Sequence, residues 1–253
     1  MTLEVIAAAR RNTRRRLTIA VVIGVGVVAV LVYPAGLYVN AHLNDEAVSS
    51  PATAAPPSPA ASATATASGV ALPAEVTWVR VAGVDLPTSA ATGPAQAVGG
   101  LARGFAHTPA GAVVAAVHLL VRTTPDVGPA VFEPTLTGQV VGEHAAAMRQ
   151  LVADIYTQAA AEQGVAYGQP LGDLHATVAG IRVDTYTPLQ ATLSVLTSAV
   201  DATGVTRYAA TTVTLSWTNG DWLLVAPPDG RWDSLVRLLD PASIGGYPPL
   251  RAR

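Results

Sequence analysis

Twenty-two consecutive residues without a charge, LTIAVVIGVGVVAVLVYPAGLY from Leu17 to Tyr38, constrain this chain more than any other stretch. At about 1.5 Å per helical residue, roughly 20 residues cross a hydrocarbon core about 30 Å thick. The run predicts a transmembrane helix over 17–38, with Tyr33 and Tyr38 at the level of an interfacial aromatic belt. Arg10, Arg11, Arg14, Arg15 and Arg16 stand just before it, against one acid, Glu4. Arginines beside a span stay in the cytoplasm, so residues 1–16 are expected inside. The expected location is the cell membrane, single-pass, with the C-terminal bulk extracytoplasmic. A cleaved signal peptide is the rival, with Val39-Asn40-Ala41 as a poor cleavage site. The apolar run exceeds a signal's usual core and so favours the anchor. Gly24-Val25-Gly26-Val27-Val28-Ala29 imitates a dinucleotide-binding loop, but that loop needs a preceding strand and a βαβ setting, which a membrane span excludes.

Past the span, residues 39–69 read as a linker. DEAVSSPATAAPPSPAASATATASG, from Asp45 to Gly69, offers little to bury and cannot offset the entropy of ordering. We expect a disordered tether that holds the next domain off the membrane. The chain has no cysteine, which removes disulfides, thiolate metal sites and thiol nucleophiles. With the arginines gathered at the start, the remainder is mildly acidic, and a direct nucleic-acid surface is not expected.

Residues 70–253 are the extracytoplasmic domain. Val76 to Val84 alternates as a strand ended by Pro87, and a Gly/Ala-rich loop follows to Gly104. In GFAHTPAGAVVAAVHLL, Thr108 is a good N-cap and Pro109 suits the first helical position. Val113, Val117 and Leu120 then recur at the helical period, up to the stop before Pro125. At about 14 residues this helix is too short to span a bilayer, and it is apolar almost all round, so it belongs in a core. A second helix is expected from Glu143 to Gln163. Met148, Leu151, Val152, Ile155 and Ala159 form its apolar stripe, and Gly164 closes it. From Gly172 onward the pattern is that of strands, broken at Pro188 and at Asp201-Ala202-Thr203-Gly204. Asn219-Gly220 predicts a type I′ turn pairing Thr218 with Asp221 and Trp217 with Trp222. Val213, Leu215, Trp217, Trp222, Leu224 and Ala226 then share one apolar face, which the helices cover. A proline-rich tail follows Pro227, with a short helix from Trp232 to Leu239. The fold class expected is α+β, helices packed on a curved antiparallel sheet.

Motifs for chemistry are sparse. His42, His107, His118, His144 and His175 fall in no metal-ligating spacing, and no nucleophile elbow or phosphate loop occurs. No catalytic residue, cofactor or metal ligand is therefore assigned. His118 reads as a hydrogen-bonded core histidine, and His107 as a neutral neighbour of a helix start. Asp154 and Glu162 lie on a wet helix face. Asp184 with Tyr186 is the one carboxylate–tyrosine pair that a cone-shaped pocket could use for ligand binding or proton transfer. Trp217 and Trp222 read as a cross-strand core pair.

The order of one span, a loose linker, helices and then a sheet ending in TTVTLSWTNGDWLLVAPP resembles the VirB8-like and TcpC-like conjugation proteins. That resemblance implies an NTF2-like cone fold. LPTSAATGP, GFAHTPAGAVVAAVH, VDTYTPLQATLSVL and NGDWLLVAPPDG are similar to a family of uncharacterised membrane-anchored actinobacterial proteins, often encoded on integrative and conjugative elements. The likeness covers roughly residues 76 to 250 and brings no catalytic residues with it. It implies a non-catalytic scaffold of a cell-envelope complex in a DNA-transfer apparatus. Its partners would be the membrane, other envelope or transfer-apparatus proteins, and further copies of the chain in a homo-oligomer. An extracytoplasmic ligand-binding or enzymatic domain using the cone pocket is the alternative, and a secreted module cleaved at Ala41 is a third.

The anchor predicts that full-length protein stays with membranes through an alkaline carbonate wash and retains its first sixteen residues in mass spectra. Soluble protein beginning at residue 42 would contradict it.

Overall fold

A long strand, Thr206–Thr218, organises the domain because it receives partners along both edges. The computed structural model describes residues 70, 72 and 75–250. The five arginines, the span expected at 17–38 and the linker lie outside the described residues, among which no helix is long and apolar enough to cross a membrane.

In chain order the strands are β1 (Thr77–Val81), β2 (Val84–Thr88), β3 (Gln96–Val98), β4 (Leu101–Arg103), β5 (Val140–Val141), β6 (Thr177–Tyr186), β7 (Gln190–Val200), β8 (Thr206–Thr218), β9 (Asp221–Val225) and β10 (Val236–Leu239). The helices are α1 (Pro109–Arg122), α2 (Pro129–Gly138) and α3 (Ala145–Gln163). The main sheet runs β5-β9-β8-β7-β6, with β10 also paired to β8, and is antiparallel except for the short β5–β9 pair. This is an α+β domain with a mixed sheet.

The first helix begins as its sequence dictates. Thr108 Oγ1 accepts the Gly111 N–H at 3.0 Å, and Pro109 fills the first turn. Gly111 sits so near the preceding loop that an added Cβ would lie 2.0 Å from the Ala106 carbonyl oxygen. From Gly111 to Arg122 every residue is buried, because α1 passes between the main sheet and the β1–β2 hairpin. Each fully buried Val or Leu there is worth about 1.5–3 kcal/mol. Beneath it Val213, Leu215, Trp222 and Leu224 are fully buried, and Ala226 nearly so, on the face expected for them. Trp217 pairs with Trp222 and Thr218 with Asp221 across Asn219 (φ 55°) and Gly220 (φ 80°), the two positive values of a type I′ turn.

Several local expectations are corrected. The single strand at 76–84 is a hairpin, since Ala82-Gly83 turns the chain and Pro87 sits inside β2 opposite Trp78. The Gly/Ala-rich loop contains the small β3–β4 hairpin. Helix α2 was not expected between Pro125 and Glu143; Gly128 (φ 80°) starts it, and Thr135 and Leu136 face the core. In α3 the buried stripe is Met148, Val152, Tyr156 and Ala159, with Leu151 and Ile155 half-buried. The helix turns toward Tyr156 because its hydroxyl donates to the Gln169 carbonyl at 2.8 Å and accepts from the Gly168 N–H at 2.9 Å. The helix expected at Trp232–Leu239 is a single 3-10 turn followed by β10. That strand pairs Val236–Leu239 with Tyr208–Thr211, satisfying part of the β8 edge that β9 does not reach. The tail after Pro227 is also a cover. Tyr247 packs with Leu196 and Ala210 on the sheet's outer face, and the Ile181 N–H donates to the Pro248 carbonyl at 3.0 Å.

Two substitutions separate cap from packing. Thr108→Ala should lower the unfolding free energy by about 1 kcal/mol in urea titration. Gly111→Ala should cost more than that despite alanine's better helix propensity, because the Ala106 carbonyl has to move.

Candidate functional site

Three segments far apart in sequence meet at one end of the sheet: Gly104–Thr108 ahead of α1, the β6–β7 turn at Thr187–Gln190, and the β8–β9 hairpin. The junction is made by one carboxylate. Asp221 Oδ2 accepts the Gly104 N–H at 2.9 Å, and Oδ1 accepts the Phe105 N–H at 3.0 Å and its neighbour Trp222's N–H at 2.9 Å. Gly104 (φ 76°) supplies the turn that aims its amide at this oxygen. Next in the loop, the Ala106 carbonyl accepts the Trp222 indole N–H at 3.0 Å.

With the loop so pinned, His107 lies flat on Trp217, ring centroids 3.9 Å apart and planes 7° from parallel. Its Nε2 sits against the Pro188 carbonyl oxygen. A carbonyl only accepts, so Nε2 is the donor. The Trp217 N–H donates to the Leu189 carbonyl at 2.8 Å, holding the turn to β8. Trp222 is fully buried at the centre, with Trp217, His107 and Tyr186 arranged around it at centroid distances of 5.2, 5.8 and 5.9 Å. Outside this ring cluster Leu189 is 70% exposed, beside exposed Pro188 and His107. The result is an aromatic and aliphatic surface assembled from GFAH, TYTPLQ and SWTNGDW.

The structure does not bring Asp184 and Tyr186 together. Asp184 is the extra residue of a β-bulge between Val183 and Thr185, so the strand's alternation resets there. Asp184 lies on the outer face, where Arg182 Nε donates to it at 2.6 Å and Ser194 Oγ at 2.6 Å. Tyr186 lies on the inner face against Trp222, where burial raises its phenol above the ordinary value. Arg182 also stands 4.8 Å over the Tyr247 ring. The carboxylate is thus held by an arginine and a serine beneath the C-terminal cover.

The remaining candidates are placed as follows. His118 is fully buried and its Nε2 bonds the Pro87 carbonyl at 2.9 Å, a core histidine as its helical position suggested. Burial pushes it down to about 4. His144 pairs with Glu143 at 2.9 Å, Asp154 accepts from Gln150, and Glu162 accepts from Gln158, all on the wet side of α3. His42 lies outside the described residues. Among the described residues no three potential metal ligands gather. Asp126 was not singled out from sequence. It is largely buried after α1, and burial pushes its carboxyl up to about 6.

The fold and this surface define an α+β domain with an aromatic face assembled from three separated segments. The chain belongs to the family described as "Domain of unknown function (DUF8175)", whose model matches residues 41–247. No curated protein and no solved structure matches it.

The two buried titrating groups predict a pH response. His118 binds its proton more weakly folded than unfolded, so its penalty grows as pH falls from about 6.5 toward 4. Asp126 ionises less readily folded than unfolded, so its penalty grows as pH rises from about 4 toward 6. In the native chain the two slopes oppose each other. In Asp126→Asn the opposing slope is gone, and the urea midpoint should fall steadily from pH 6.5 to 4. A flat profile in that variant would refute the assignment to His118.

Proposed function

We propose that the protein is a membrane-anchored, non-catalytic scaffold of a cell-envelope complex, and that the complex is a conjugative DNA-transfer apparatus. In this reading residues 17–38 cross the membrane, the arginine cluster keeps the N-terminus cytoplasmic, and the linker sets the reach of an NTF2-like domain outside. The actinobacterial conjugation-element resemblance of its motifs and its VirB8-like order of parts support the setting. The observation that carries the reading is the aromatic surface itself. Asp221, the Trp222 indole and His107 all spend their hydrogen bonds on holding loop, turn and hairpin together. A surface held in advance loses little entropy when a partner docks, which favours binding. The alternative, a ligand-binding or enzymatic pocket using Asp184 and Tyr186, is disfavoured by their placement on opposite faces of β6.

Leu189→Asp puts a charge on the exposed surface without touching the core. It should lower the transfer frequency of the host element more than tenfold while the protein stays folded and membrane-bound. Asp184→Asn should leave transfer within about twofold of the native chain. Loss of transfer in the Asp184 variant alone, with the fold kept, would favour the pocket reading instead.

A further inference from the structure

We propose that the chain covers this aromatic surface itself, by docking Pro56-Pro57-Ser58-Pro59 of its own linker in cis across His107, Pro188, Leu189 and Trp217. The proposal rests on reading that surface as a docking site. Its chemistry fits an extended proline segment better than a helix or a charged peptide. Proline-rich chains adopt polyproline II, which makes no internal hydrogen bonds and leaves its carbonyls free. Surfaces that bind them present aromatic rings to the proline faces and a few donors to those carbonyls. Here His107 and Trp217 offer stacked rings, exposed Leu189 and Pro188 extend the apolar area, and the Trp217 indole N–H has no acceptor among the described residues.

Reach and charge agree. Pro59 lies eleven positions before Val70, which packs against the core. In polyproline II these span about 34 Å at roughly 3.1 Å per residue. A folded domain of this length has a radius of gyration near 16 Å. Fully extended, the segment thus spans about twice that radius from Val70. No charged residue occurs between Glu46 and Glu75, so the segment brings no charge to be desolvated on an apolar face. The family match begins at residue 41 and so takes in the proline segment with the folded part as one unit. An envelope partner that uses the same surface would have to displace the linker, which makes the tether a competitor for the site it carries.

The absence of native cysteine makes the test direct. The full chain in detergent carries Ser58→Cys with either Leu189→Cys at the surface or Leu238→Cys on β10. Leu238 pairs with Ala209, and Gln190, next to Leu189, pairs with Ser216; seven positions of β8 separate the two, roughly 23 Å at about 3.3 Å per residue, so the second site lies well away. Disulfide formation under mild oxidation is followed by gel mobility. The 58–189 pair should close within one chain, and replacing Pro56, Pro57 and Pro59 by alanine should slow it at least tenfold, while the 58–238 rate does not fall. An unaltered 58–189 rate in the alanine variant would overturn the proposal, as would a disulfide formed mainly between chains, which points to a second copy as the occupant. If either occurs while Leu189→Asp still abolishes transfer, the docking surface stands and the linker is the wrong occupant. If Leu189→Asp also leaves transfer intact, the surface reading itself fails.

Discussion

The carboxylate of Asp221 is the interaction on which the arrangement depends. It accepts backbone N–H groups from Gly104 and Phe105, more than a hundred residues earlier, while also bonding the amide of Trp222. Bonds to an ionised acceptor are roughly twice as strong as neutral ones. Without Asp221 the buried Phe105 amide would lose its acceptor, which costs about 1–3 kcal/mol, while the exposed Gly104 amide would turn to water. The consequences run in two directions. Toward the core, the clamp sets where the chain enters Thr108 and hence how α1 lies over the sheet, with Phe105 buried and Gly111 against the Ala106 carbonyl. Toward solvent, it places His107 flat on Trp217.

One element therefore serves stability and surface together. Trp222 is fully buried and at the same time supports the rings of Trp217, His107 and Tyr186. The outer face of the sheet follows another plan. Arg182, Asp184 and Ser194 form a polar cluster there, and the Tyr247–Leu250 segment folds over the β6 edge, where Gly180 leaves room for the Tyr247 and Pro248 backbone. What resembled a catalytic pair is divided between these two plans by a single bulge.

Signals that act over a few residues are legible in this sequence, and those that depend on distant segments are not. Thr108-Pro109, Asn219-Gly220 and the alternation from Val213 to Trp222 each act over a few residues, so the helix start, the turn and the buried face were legible. The pairing of Asp221 with Gly104 was not, because a carboxylate beside a turn reads as a solvated residue until the loop it caps is in place. A β-bulge at Asp184 leaves no mark in the residue pattern, so alternation put Asp184 and Tyr186 on one side when they lie on two. Tyr156 displaced Ile155 from the stripe of α3 because its hydroxyl meets backbone groups at Gly168 and Gln169, a contact that helical period alone does not contain. The strand β10, where a helix was expected over Trp232–Leu239, is explained by its pairing with the β8 edge, which no local residue pattern contains.

Hydrogen exchange at two backbone amides tests the clamp most directly. In the native chain Gly104 and Phe105 should exchange slowly for loop residues. In Asp221→Ala their protection should collapse to that of an open loop, while the amides of α1 from Val113 to Leu120 and of β7 keep theirs. Unchanged protection at Gly104 and Phe105 in the variant would contradict the account, because the loop, and with it the stacked His107–Trp217 surface, would then be held by something other than this carboxylate.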